Sequence, residues 1–150
     1  MKRIMTIALI AVGLSVAASV RAAENLRLNS RLDYSSDSLD GPLITGDHMQ
    51  VGALAGKVNY VIIYGEGCFN SKRQARRTVS LYQKYKDRVN FVIVDLDMER
   101  SPAQQQLVRA YYQGEIPHVV VLDKSGSPVY NDSGEVDEER IAEILDKSLK

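Results

Sequence analysis

The sequence predicts an α/β fold, because apolar strand patterns and amphipathic helix patterns alternate along its second half. Residues 58–64, 91–96 and 117–122 are continuous apolar runs, the composition of strands that are covered on both faces of a sheet. A helical pattern follows each of the first two runs. The chain has 150 residues, which is enough for one domain.

Each helix can be justified from its own residues. Residues 72–88 form the first predicted helix, whose inner stripe at helical spacing is Ala75, Val79, Tyr82 and Tyr85. The second helix begins at residues 101–104, Ser-Pro-Ala-Gln, where the serine is a cap, the proline suits the first helical position and the glutamine completes a capping box. Residues 137–149 are the last predicted helix.

The strands should form one sheet. A short fourth strand is predicted at residues 127–131, where Pro128 suits a sheet edge. Parallel neighbours need long connections, and helices of more than ten residues separate the strands at 58–64, 90–96 and 117–122. We therefore expect these three strands to be parallel.

The N-terminus has the form of a secretory signal peptide. Lys2 and Arg3 precede an uncharged run at residues 4–20, and Val20-Arg21-Ala22 has small residues at the positions required for cleavage after Ala22. The alternative is an uncleaved membrane anchor, although a run of this length is at the short limit for spanning a bilayer. The prediction is a signal peptide at residues 1–22, with membrane attachment only if it is not cleaved.

Cleavage there would leave a mildly acidic, exported protein. Removing Lys2, Arg3 and Arg21 leaves 16 basic residues against 19 acidic ones. This charge balance gives no case for nucleic acid as a partner. The expected location is the periplasm if the source is bacterial and the extracellular space otherwise. Residues 23–47 are polar and rich in turn residues, so they are interpreted as a flexible leader before a folded domain at residues 48–150.

The only cysteine, Cys68, lies between a strand and a helix. The turn Gly65-Glu66-Gly67 brings it to the start of the helical pattern, where unpaired N–H groups and the helix dipole favour an anion. Four basic residues in the next two turns favour a thiolate further: Lys72, Arg73, Arg76 and Arg77. A single cysteine in an exported protein indicates an intermolecular disulfide or a working thiol.

Two motifs resemble the thioredoxin superfamily. Cys-Phe-Asn-Ser at residues 68–71 is similar to the family's Cys-x-x-Cys turn, with a serine in place of the second cysteine. Ile116-Pro117 resembles the aliphatic residue and cis-proline that open the strand beside the thiol. The order of elements over residues 58–150 is also that of the family. The resemblance implies a thioredoxin-like three-layer α/β/α sandwich with a mixed central sheet.

The same resemblance implies a site. Cys68 would be the nucleophile, and Ser71 would either donate a hydrogen bond to its thiolate or only cap the helix. Phe69, Ile116 and Pro117 would bind the substrate, with the Ile116 backbone pairing with an extended peptide. A hydroxyl cannot resolve a mixed disulfide, so the prediction is monothiol thiol–disulfide chemistry without a resolving cysteine.

The expected partners follow from that chemistry. They are protein or low-molecular-weight thiols and disulfides, and Cys68 could also link two copies of the chain. No cofactor is expected, and one cysteine with two separated histidines, His48 and His118, does not make a closed zinc site. A Cys68–His118 pair stays open, because the strand after Pro117 lies beside the turn in this fold.

Two alternatives remain open from the sequence. The first is a non-catalytic module that binds peptides or client proteins in the groove at Ile116-Pro117. The second is a monothiol glutaredoxin-like role with glutathione and an iron–sulfur cluster. That family usually has Gly-Gly after the proline strand, where this chain has only Ser133-Gly134. The chain also departs from thioredoxins at Ile62, Gly67 and Asn70, where aspartate, tryptophan and proline are usual.

Overall fold

The computed structural model describes residues 21–150, so most of the predicted signal peptide lies outside the described residues. Two sheets are present in that range: an antiparallel pair, β1 and β2, and a four-stranded sheet in the order β4-β3-β5-β6. In chain order the elements are β1 (Glu24–Leu28), β2 (Ile44–Asp47), β3 (Val58–Tyr64), α1 (Phe69–Tyr85), β4 (Val89–Asp95), α2 (Pro102–Tyr111), β5 (His118–Leu122), β6 (Pro128–Ser133) and α3 (Glu138–Ser148).

The four-stranded sheet is covered on both faces. Every residue of β3, β4 and β5 is buried, which is why these strands are apolar without alternation. Tyr60 and Ile62 face the side covered by α1 and α3, whereas Val61 and Ile63 pack with Leu107 of α2 on the other side. The three-layer α/β/α sandwich with a mixed sheet is therefore confirmed.

The predicted direction of β5 is wrong. β3 and β4 are parallel, from Val58 opposite Val89 to Tyr64 opposite Asp95. β5 is antiparallel to β3, with His118 opposite Ile63. A parallel pair requires a long connection, but a long connection does not require a parallel pair. Here α2 rises only about 15 Å, and residues 112–117 can span about 20 Å, which returns the chain to the edge where β3 ends.

The interpretation of residues 23–47 as a flexible leader is also corrected. This segment forms the β1–β2 pair, which buries Leu26, Leu43 and Ile44 in the same core as α1 and α3. The backbone N–H of Leu43 donates to the Tyr64 hydroxyl at 3.2 Å. The apolar residues of this segment are too few to show a period, yet Leu26, Leu43 and Ile44 are each buried by contacts that come from distant parts of the chain.

The predicted helices are all present, and their bounds differ from the predicted ones by at most three residues. The predicted capping box of α2 is present: the Ser101 hydroxyl accepts from the Gln104 N–H, and the Gln104 side chain accepts from the Ser101 N–H. α1 begins at Phe69 and ends at Tyr85, each three residues before the predicted bound. Within residues 21–150, no helix combines the length and the apolar character needed to cross a bilayer.

Candidate active site at Cys68

Cys68 is the N-cap residue of α1, the position that the sequence predicts. Its N–H donates to the Gly65 carbonyl at 3.4 Å, which closes the turn after β3, and its carbonyl accepts the first helical hydrogen bond from the Lys72 N–H at 3.0 Å. The thiol is half-buried and free. It is therefore both accessible and placed at the end of a helix whose first N–H groups point outward.

The segment before β5 forms one wall beside the thiol. The Cys68 Sγ lies 3.9 Å from the Ile116 carbonyl oxygen, and the Ile116–Pro117 peptide bond is cis. Gly65 permits this approach, since a Cβ at that position would be 2.6 Å from the Cδ1 atom of Ile116. The fold thus brings together three of the predicted site residues from sequence positions almost fifty residues apart.

Phe69 and Ser71 take different places. Phe69 is half-buried at the first helical position, and its ring lies 5.1 Å from the Arg73 guanidinium carbon. Ser71 is fully buried inside the helix, so it is not the cap. Its hydroxyl has no hydrogen-bond partner among the described residues, including Cys68. The substrate-binding and catalytic roles predicted for these two residues stay predictions.

Three of the four helix cations that were predicted to act on Cys68 make their polar contacts with other residues. Lys72 is fully buried, and its Nζ donates to the Asp33 carbonyl at 2.6 Å and to the carbonyl and hydroxyl of Ser38 at 2.8 and 2.9 Å. Arg73 and Arg77 both bind the Glu135 carboxylate. These charges are engaged elsewhere because residues 33–40 and the loop before α3 fold over the first turns of α1.

Residues 33–40, which we call the strap, also reach the start of α1. The Asp37 carboxylate accepts from the Phe69 N–H at 2.7 Å, so a residue from outside the helix caps it. Leu39 lies next to Gly67 with 69% of its surface exposed. Sequence reasoning missed both residues, because they are about thirty positions from Cys68 and no local pattern connects them to it.

A buried carboxyl pair lies beside the turn. Glu66 and Asp95 are 7% and 8% exposed, and the Glu66 N–H donates to Asp97 Oδ2 at 2.7 Å. Burial, followed by the charge of Asp95, raises the pKa of Glu66 to about 7. Burial also raises the pKa of Asp95. Both carboxyl groups therefore hold a proton at a higher pH than exposed carboxyl groups do.

His118 does not pair with Cys68. Both ring nitrogens are committed to β6, Nδ1 with the Ser133 hydroxyl at 2.9 Å and Nε2 with the Asn131 side-chain oxygen at 2.7 Å. No group of three or more histidine, cysteine or acidic side chains with the geometry for a metal ion occurs in residues 21–150.

Comparison with curated proteins finds thioredoxin-like relatives. The chloroplastic thioredoxin-like protein HCF164 of Oryza sativa subsp. japonica is 32% identical over 110 residues, which are 73% of this chain and 41% of that protein. HCF164 of Arabidopsis thaliana is 29% identical over 127 residues, or 85% of this chain and 47% of that protein. The chain thus spans less than half the length of these relatives. No protein-family model matches the sequence.

Solved structures show the same fold. A malaria-parasite thioredoxin-2, described as a component of the protein secretion machinery, has a TM-score of 0.53 at 18% identity and covers 63% of this chain and 86% of its own. The exposed lipoprotein thioredoxin Etrx1 of Streptococcus pneumoniae has a TM-score of 0.51 at 17% identity, covering 61% of this chain and 85% of its own. These two structures, at 18% and 17% identity, show the fold alone. The similarity to HCF164 over 73% of this chain, together with that fold, shows that the chain belongs to the thioredoxin superfamily.

Proposed function

We propose that this protein performs monothiol thiol–disulfide chemistry through Cys68. One observation carries the proposal: the only cysteine of the chain is a half-exposed N-cap residue beside the Ile116–Pro117 wall, while a buried serine stands at position 71. Helix N-termini stabilise anions, and the thiolate is the nucleophile in disulfide exchange. Membership of the thioredoxin superfamily supports the same reading.

The reaction has two exchange steps. The Cys68 thiolate attacks one sulfur of a disulfide R–S–S–R′, the S–S bond breaks, and the thiolate R′S⁻ leaves and takes up a proton from water. The product is a mixed disulfide between Cys68 and R. Ser71 has no sulfur with which to break it, so a second, external thiol attacks the mixed disulfide and restores the Cys68 thiolate.

The proposed partners are protein or low-molecular-weight thiols and disulfides. Phe69, Ile116 and Pro117 would form the walls that receive the group bearing the disulfide. In the absence of another thiol, the Cys68 thiolate of a second copy can attack the mixed disulfide, which releases RS⁻ and links the two copies through a Cys68–Cys68 disulfide. The mild acidity of the chain favours no nucleic-acid partner.

A binding module without turnover is the second candidate. The observation in its favour is that the nearest helix cations are engaged away from Cys68, by the strap and by Glu135. In this case the groove at Ile116–Pro117 would hold a client polypeptide without exchanging disulfides with it.

Exchange with glutathione disulfide distinguishes the two candidates. The reduced protein is mixed with glutathione disulfide, and mass spectrometry follows formation of the Cys68 mixed disulfide and its release by glutathione. The proposal expects a full cycle in the wild type and none in Cys68→Ala. If the wild-type protein forms the mixed disulfide no faster than an unfolded peptide that contains cysteine, the result would favour the binding module.

We also propose that the protein is exported, on the basis of the signal-like N-terminus. Expression of the full chain in a Gram-negative bacterium should yield a periplasmic product that begins at Ala23. The mature mass and the N-terminal sequence check this expectation. Recovery of the uncut chain in the membrane fraction would instead support an uncleaved anchor.

A further inference from the structure

We propose that Leu39 of the strap determines specificity at Cys68, by binding an apolar side chain next to the cysteine of a polypeptide substrate. This inference rests on the proposed exchange function and names the class of substrate. The strap precedes residues 58–150, the part of the chain that carries the thioredoxin resemblance. It therefore adds a wall to the site from outside that part of the fold.

The strap is anchored on both sides of the start of α1. Buried Lys72 makes hydrogen bonds to the Asp33 carbonyl and to two oxygen atoms of Ser38, and Asp37 accepts from the Phe69 N–H. These four contacts hold residues 33–38 against the residues that directly follow Cys68. Leu39 comes immediately after the anchored residues, so its position relative to the thiol is constrained by α1 itself.

Leu39 and Ile116 enclose an open groove with Cys68 and Gly67 in its lining. The groove has a volume of about 470 Å³ and also contacts Leu96 and Asp97. A Cβ on Gly67 would lie 3.6 Å from Leu39, which is ordinary contact distance. Glycine is therefore not required there by crowding, and its lack of a side chain leaves the space between Leu39 and the thiol open.

The exposure and chemistry of the lining identify the occupant. Leu39 is one of three large hydrophobic residues exposed in residues 21–150, at 69%, and it is the one that lines the groove containing the thiol. Leu96 and Ile116 are also apolar, so the groove favours an apolar side chain. Because Leu39 and Ile116 belong to separate segments, a polypeptide substrate can contact both of them with the residues before and after its cysteine. A small polar disulfide would make no contact with Leu39.

The test compares two disulfide substrates with the full-length protein. One is glutathione disulfide, and the other is a synthetic peptide with leucine beside a cysteine that carries a glutathione mixed disulfide. Leu39→Ser is the test variant. Val129→Ser is the matched control, because Val129 is exposed at 46% and lies on β6 away from the groove. Both substitutions lie at exposed positions and should leave the fold intact.

Leu39→Ser should lower the second-order rate with the leucine peptide about 5- to 10-fold, since most of a leucine contact is lost. Its rate with glutathione disulfide, and both rates of Val129→Ser, should stay within about twofold of the wild type. An equal fall for both substrates, no fall for the peptide, or the same fall in Val129→Ser would overturn the inference. Failure of the wild type to react with glutathione disulfide would instead overturn the proposed function on which it rests.

Discussion

Lys72 places an amino group in a fully buried position near the start of α1. Its Nζ makes three hydrogen bonds to oxygen atoms of Asp33 and Ser38, which is the full donor capacity of an ammonium group. A buried amino group is costly without such partners. Lys72, which its closeness in sequence to Cys68 suggested as a cation acting on the thiol, therefore holds the strap in place.

Replacing Lys72 with methionine should destabilise the protein by about 2–4 kcal/mol. The methionine fills similar space, but the carbonyls of Asp33 and Ser38 lose a buried donor. Urea unfolding measures the change. Arg109→Met is the control, because Arg109 is exposed on α2, and its free energy of unfolding should change by less than about 0.5 kcal/mol. Equal changes in the two variants would contradict the structural role of Lys72.

Glu66 should make stability depend on pH. Its pKa is raised to about 7 from an ordinary 4.5, with Asp95, Asp97 and Tyr64 facing the same cluster. The native state then binds more protons than the unfolded chain between pH 4.5 and 7, so the free energy of unfolding falls as pH rises through this window. In Glu66→Gln the decrease in the free energy of unfolding across this pH window should be smaller than in the wild type, by at most about 3 kcal/mol.

Urea unfolding at a series of pH values checks the Glu66 prediction. Glu115→Gln is the matched control, because Glu115 is exposed in the segment before β5. This control should keep the slope of the wild type. A Glu66→Gln variant with an unchanged slope would show that the raised pKa of Glu66 does not contribute to the pH dependence of folding.

At the scale of elements, the β1–β2 pair supports the layer that contains α1. The Asn25 N–H donates to the Tyr82 hydroxyl of α1 at 2.9 Å, and Leu26 is only 1% exposed. Gly46 lies close to β1, since a Cβ there would be 2.6 Å from the Glu24 carbonyl oxygen. The pair is thus a packed part of the domain, and the strap lies in the connection between its two strands.

Leu26→Ala should therefore destabilise the protein by about 2–5 kcal/mol, the usual cost of a cavity at a buried leucine. A flexible leader would tolerate the same change. Thermal or urea unfolding distinguishes the two cases. Leu39→Ala is the control within the same segment, because Leu39 is mostly exposed and its truncation should be nearly neutral. A neutral Leu26→Ala would restore the leader interpretation.

For the molecule as a whole, one core joins both sheets. Leu26 and Ile44 from the β1–β2 pair pack in the same cluster as Tyr60 of β3 and Ile141 of α3. A shared core couples the unfolding of the elements that it joins. The β1–β2 pair and the four-stranded sheet should therefore unfold together.

Coincident transitions test this coupling. Far-ultraviolet circular dichroism reports on all elements, while near-ultraviolet circular dichroism reports on the tyrosine residues, the chain having no tryptophan. The two signals should give the same denaturation midpoint. An earlier loss of hydrogen-exchange protection at the Arg27 and Thr45 amides would show that the β1–β2 pair opens on its own.

The order and type of the elements from β3 onward, and the place of Cys68, follow from local sequence patterns. The apolar runs, the capping box at Ser101 and the glycine turn before Cys68 are local signals, and each depends on residues within a few positions of one another. Such signals favour the same helices and strands whatever other parts of the chain pack against them. For this reason the α/β sandwich and the thiol at the head of α1 were both predictable.

The direction of β5, the packing of β1 and β2, and the partners of Lys72 and Glu66 depend on long-range contacts in the folded chain. These features depend on contacts between segments about 20 or more positions apart, such as Asp37 with Phe69 and Glu66 with Asp97. The local sequence around a residue carries its propensity but not the identity of what will pack against it. The surroundings of the thiol are therefore a property of the folded chain, whereas its position at the helix start is a property of the sequence.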